Sequence, residues 1–163
     1  MATNTEKLVV RSKRVAFMDI DGMLTRMTKF TTMEPAKNPK EYSRQYVDMA
    51  TETTDVVGYA PSIEYNFDNH TGNTVHAKLA AISDDEMLGT DTYVDIVTVD
   101  LFGESTSKPA IKRTYAVIPS ADSSGTDALT YAGTFKAVSD IIKGTATSDD
   151  EWKTCTFSAA TSA

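Results

Sequence analysis

Threonine and valine constrain this chain more than any motif does. It holds 24 Thr and 12 Val against 6 Leu. Branching at Cβ fits a pleated surface and crowds a helix, whose core residue is usually Leu. The apolar residues also fall in strand period. Ile63, Tyr65 and Phe67 alternate with Glu64, Asn66 and Asp68, and Leu129, Tyr131, Gly133, Phe135 and Ala137 alternate with Thr130, Thr134 and Lys136. Ile111, Tyr115 and Val117 alternate with Lys112, Thr114 and Ala116, with Arg113 the exception. Such alternation marks strands with one buried face. Further strands are expected at Arg14–Ile20, Thr25–Met33, Tyr42–Met49 and Trp152–Phe157. Tyr93–Phe102 is nearly apolar on both faces and reads as a central strand.

One segment departs from this period. Val75, Leu79 and Ile82 lie at i, i+4 and i+7, which predicts a helix over Thr74–Leu88, capped by Asn73 or Thr74 and ended by Gly89. One helix among seven or eight strands describes a mainly β fold, a sandwich or barrel with a flanking α-helix. The 163 residues suit a single domain with no internal boundary. Met33–Glu41, with two prolines, and Met49–Gly58, rich in Thr, read as loops. Residues 31–62 are therefore expected to form one long arm or hairpin, of the kind that a partner orders.

Charge narrows the function. The net charge is −7, which argues against a general binder of nucleic acid or anionic membranes. The longest apolar runs, such as VAFM, LAAI and YAVI, are too short for a membrane span, and EKLVVRSKR lacks the apolar stretch of a signal peptide, so a soluble chain is expected. The lone Cys155 excludes an internal disulfide, and no Cys/His spacing suits zinc. Residues 1–50 carry 9 basic and 6 acidic side chains, whereas residues 51–163 carry 7 and 17. Asp84 to Glu104 holds seven acids and no base. That asymmetry favours head-to-tail association with another copy.

VAFMDIDGML resembles the first motif of haloacid-dehalogenase-like phosphatases, in which Asp19 would be the nucleophile and Asp21 the acid/base beside Mg²⁺. That fold alternates strands and helices, but TRMTKFTTM and a Pro-rich segment follow Leu24. Asp21-Gly22 between two alternating runs instead signals a hairpin turn. His70 and His76 lack a carboxylate at metal-site spacing and suggest a capping or surface role. Cys155 reads as a small core or surface residue. Asp122, Ser124 and Asp127 read as a hairpin turn, lacking the closing Glu of a calcium loop.

The longer stretches EYSRQYVDMATETTDVVGYAPSIEYNFD (41–68), GTDTYVDIVTVDLF (89–102), YAVIPSADSSGTDALTYAGTFKA (115–137) and KGTATSDDEW (143–152) are similar to major tail tube proteins of tailed bacteriophages that infect Gram-positive bacteria, relatives in fold of the type VI secretion tube. The resemblance covers nearly the whole chain. It implies a virion structural protein without cofactor or catalytic residue, assembled in the host cytoplasm. Its subunits would form stacked hexameric rings, a hollow tail tube through which DNA is ejected. Tape-measure, tail-tip and tail-terminator proteins would be its partners. On this reading 31–61 is the inter-subunit arm, anchored by Tyr42, Arg44, Tyr46 and Tyr59, since interface hot spots favour Tyr and Arg. Candidate lumen acids are Asp84, Asp85, Glu86, Asp91, Asp95, Asp100 and Glu104, with Asp95 and Asp100 on opposite strand faces. Two other classes stand beside it: a non-assembling β-sandwich decoration module, and the phosphatase using Asp19 and Asp21.

Overall fold

Two residues set the first hairpin. Asp21 (φ 52°) and Gly22 (φ 87°) are both left-handed, the requirement of a two-residue turn that matches strand twist. They join β1 (Arg14–Ile20) to β2 (Met23–Arg26), with Ile20 facing Met23. The Gly22 N–H donates to Asp19 Oδ1 at 2.8 Å, so the Asp19 carboxylate holds the turn. The computed structural model describes residues 6–103, 105–122 and 127–160.

Besides two short 3-10 turns at Arg11–Lys13 and Gly89–Thr92, the remaining described elements are β3 (Phe30–Ala36), β4 (Pro39–Arg44), β5 (Thr53–Tyr59), β6 (Ser62–Asp68), α1 (Thr74–Asp84), β7 (Tyr93–Asp100), β8 (Lys108–Asp122), β9 (Thr130–Ala137), β10 (Ile142–Thr147) and β11 (Thr154–Ala159). The strand expected over Thr25–Met33 is two strands, because Lys29 turns left-handed (φ 65°) between them. They end far apart in a sheet ordered β10-β11-β2-β1-β7-β8-β9-β6-β3. The expected loops at Met33–Glu41 and Met49–Gly58 largely become β3, β4 and β5. The strand expected at Tyr42–Met49 ends at Arg44.

The length of β8 organises the sheet. One of its edges pairs with β7, while the other pairs first with β10 (Lys108–Lys112) and then with β9 (Tyr115–Asp122). Through the β8–β10 pairing, strands β10, β11, β2, β1, β7 and the first half of β8 close into a barrel. Phe17, Val97, Val99, Ala110, Ala146 and Cys155 fill it, with Leu24, Trp152 and Phe157 against them. The second half of β8 continues into an open sheet, β8-β9-β6-β3, with one face covered by α1 and by the outer wall of the barrel. There Ile63, Tyr65, Phe67, Tyr131 and Phe135 meet Val75, Leu79 and Ile82 of α1 and Met18, Val94 and Ile96 of β1 and β7. Burying each large side chain contributes roughly 1.5–3 kcal/mol.

Helix α1 starts at Asn73, whose Oδ1 accepts from the Val75 and His76 N–H groups. It stops at Asp84, earlier than expected. Glu86 adopts a left-handed φ of 49°, and the Met87 and Glu86 N–H groups bond back to Ile82 and Ser83. This is a Schellman closure with Glu where Gly is usual.

His76 is a core residue, correcting the expected capping or surface role. It is fully buried and stacks on Phe67 at 4.4 Å. Its Nδ1 accepts from the His70 N–H, and its Nε2 donates to the Thr28 carbonyl. Cys155 is likewise core, its thiol pushed up to about 11, chiefly by burial and further by Asp150.

Gly133 lies where a Cβ would meet Ile118 O at 2.5 Å and Tyr65 Oη at 2.7 Å. Gly133→Ala should cost about 1–3 kcal/mol through overpacking, read from denaturant midpoints; an unchanged midpoint would refute the close packing. A second test concerns acid. Burial lowers the His76 pKa, opposed by the Thr28 carbonyl. The unfolded chain therefore binds a proton near pH 6.5 that the folded chain refuses, and stability present above that pH is lost as pH falls. His76→Gln should flatten the loss between about pH 7 and pH 5, measured by thermal melts; an identical pH profile counts against it.

Candidate assembly interface

Among the described residues, folding leaves three surfaces without an internal partner: an arm and two sheet edges. The arm is β4 and β5, which pair with each other and not with the main sheet. Asn38 sends the chain outward with a left-handed φ of 47°, and its Nδ2 donates to Ala60 O and Ser62 Oγ at 3.1 Å. Every residue of β4 is exposed. So are Val56 and Val57, and Val47 at the tip is fully so. Within the hairpin Ser43 and Thr54 share a 2.9 Å hydroxyl bond, and Thr53 donates to Arg44 O. A two-stranded ribbon with no buried face is marginal in water.

The expected arm over 31–61 is thus divided. Residues Phe30–Ala36 form β3 of the main sheet, and the projecting part begins at Pro39. Of the expected anchors, Tyr42 and Arg44 share one face, the guanidinium lying 5.4 Å from the ring centroid, a cation–π contact. Tyr46 lies in the tip and Tyr59 at the base opposite Pro39. All four are exposed.

The two edges belong to the open sheet. β3 pairs with β6 alone, and no described strand pairs with the outer edge of Val117–Asp122 in β8. Each edge carries a proline and a register shift, Pro35 with Phe30/Thr32 and Pro119 with Pro119/Ala121. Both features limit indiscriminate pairing. Three successive antiparallel steps separate the edges, so they run in opposite directions.

The acids expected in the lumen do not form one surface. Asp95 accepts from Thr114 Oγ1 and lies 4.0 Å from Lys112 Nζ. Asp100 accepts from Arg14 Nε at 2.6 Å, which raises the Arg14 pKa. The two occupy opposite faces of β7. Asp84 accepts from the buried Tyr131 hydroxyl at 3.0 Å, fastening α1 to β9. Asp85, Glu86 and Asp91 are exposed, and Glu104 lies outside the described residues. A different acidic row occupies the helix-free face of the open sheet. Glu34 sits directly across from Glu64, with Asp68 on the same strand face, although like charges so placed repel. Sequence reading missed it because each acid looks like an ordinary polar alternate until the register joins β3 to β6.

No protein-family model and no curated protein matches the sequence. A chain of the 6-fold symmetrised cryo-EM structure of the anti-feeding prophage baseplate superposes with a TM-score of 0.52. The match covers 85% of this chain and 97% of that chain at 7% identity. The two share a fold.

The arm touches neither core. Replacing Glu41–Val57 by Asn-Gly, which restores a tight hairpin between Lys40 and Gly58, should change stability by less than about 0.5 kcal/mol. A large drop in melting temperature would mean that the arm supports the fold.

Proposed function

We propose that this protein is a structural subunit of a phage-type tail tube, self-assembling through its sheet edges into hexameric rings that stack into a hollow conduit for DNA. The observation that carries the reading is the opposite direction of the two free edges. When identical copies stand side by side in the same orientation, β3 of one lies antiparallel to β8 of the next, and the ladder continues without a break. Such a contact is heterologous, and a rotation that closes it makes a ring. The fold shared with a chain of a 6-fold symmetrised baseplate supports both the setting and the symmetry.

Geometry also favours an inside and an outside. Helix α1 and the barrel lie on one side of the open sheet, and the bulkier side takes the larger circumference. The bare face, with Glu34, Glu64 and Asp68, then faces the channel. A surface with few cations offers a polyanion no counterion release and lets it slide. The arm, with Tyr42, Arg44, Tyr46 and Tyr59, reaches a neighbouring copy, where a second surface covers its exposed apolar residues. Tape-measure, tip and terminator proteins would set length and ends. The role is structural rather than catalytic: the Asp19 carboxylate is occupied by its own turn, and the Cys155 thiol is buried and protonated.

Electron microscopy of the purified, concentrated chain should show rings or hollow tubes. On assembly, amide exchange should slow at residues 30–36 and 117–122, and the chain with Glu41–Val57 replaced by Asn-Gly should fold but fail to form tubes. A chain monomeric at every concentration would favour a decoration module, and tubes without protection at those edges would reject strand pairing as the ring contact.

A further inference from the structure

The ends of α1 carry charge of opposite sign, arranged against the helix's own interest. At its start, a groove of about 540 Å³ lies between the β2–β3 turn, the 70–74 loop and the 151–153 turn. Arg26, Lys29 and Lys153 line it together with one acid, Glu151. These cations are distant in sequence and are brought together by backbone contacts. The Arg26 N–H donates to Lys153 O at 3.0 Å where β2 meets β11. Thr28 is tied to the helix start through Asn73 Nδ2 and His76 Nε2, which sets Lys29 beside them. None of the three cations has an ion-pair partner among the described residues.

At the other end Asp85 and Glu86 are exposed beside a groove of about 420 Å³ that also holds Asp122 and the exposed Leu88. The eleven residues of α1 hold the two ends about 16 Å apart, so they do not neutralise one another within a copy.

We infer that the Arg26/Lys29/Lys153 groove receives the Asp85/Glu86 end of α1 from a second copy, a head-to-tail contact distinct from the sheet edges. Charge complementarity selects the occupant. The acceptor is a groove lined by three cations, and the donor is the exposed acidic end of the same helix, Asp85 and Glu86. Such a contact leaves one free end of each kind and so propagates. The inference rests on the self-assembly reading only in that the partner is another copy.

The test uses two full-length variants, Lys29→Glu/Lys153→Glu and Asp85→Lys/Glu86→Lys, checked for folding by thermal melts and followed by sedimentation and electron microscopy at low salt. Each alone should weaken end-to-end association by roughly tenfold or more, because like charges then face each other. An equimolar mixture should regain long assemblies, since every reversed end meets a reversed partner. Single variants that stack like the unaltered chain, or a mixture no better than either alone, would overturn the contact while leaving ring formation intact. An unaltered chain that never associates would overturn the tube reading together with this one.

Discussion

Strands β1 and β7 form a wall with a core on each side, and the rest of the molecule depends on it. Phe17 and Val97 point into the barrel, while their neighbours Met18 and Ile96 point into the layer under α1. Side chains alternate strictly along a strand, so a register slip of one residue would exchange the two sets and ruin both cores at once. The pairing Phe17↔Val97 beside Met18↔Ile96 is therefore specified twice over. Few surface features constrain it, and it is buried on both sides in the way that continuous apolar strands require.

That wall also decides where hydrogen-bonding capacity is left over. Closing the barrel through β8 and β10 removes edges from half of the sheet, as full closure alone can. The open half cannot close in the same way, because β8 leaves the barrel after Lys112 and takes β9 as its new neighbour. What remains is a pair of oppositely directed edges and a projecting ribbon. Water satisfies them in the isolated chain. A neighbouring copy would satisfy them with backbone partners and would cover the apolar residues of the arm as well.

The legible parts of the sequence are those where one periodicity ran unopposed. The Ile63–Phe67 and Tyr131–Phe135 alternations, the central place of the Tyr93 strand and the Asp21-Gly22 turn all appear as expected. β10 was not readable: KGTAT shows no apolar alternation, and its one buried member, Ala146, is small because it faces the barrel interior. β5 was missed for a related reason, since a strand without a buried face carries no hydrophobic pattern. The helix end was misplaced because Gly89 advertised a stop that Glu86 supplies at a steric cost. His76 looked polar and peripheral, yet two backbone partners from separate segments satisfy both ring nitrogens, a circumstance that only the tertiary fold creates. The exposed tyrosines of the hairpin stand out in the sequence by type alone, whereas the acidic row of Glu34 and Glu64 needed the register of β3 on β6.

The charges at the ends of α1 sharpen the case for assembly. A helix stabilises itself with acids in its first turn and cations in its last, each worth about 0.3–1 kcal/mol. Here the first turn holds no acid and the last no base, while cations gather near the start and acids at the finish. The side chains thus add to the macrodipole instead of offsetting it. Within one copy this arrangement costs stability, offset in part by the Asn73 cap and by the Tyr131 hydroxyl that donates to Asp84. In the proposed contact between copies the sign would reverse, because the positive end of one helix would meet the negative end of the next. A chain selected for monomer stability alone would place these residues the other way round.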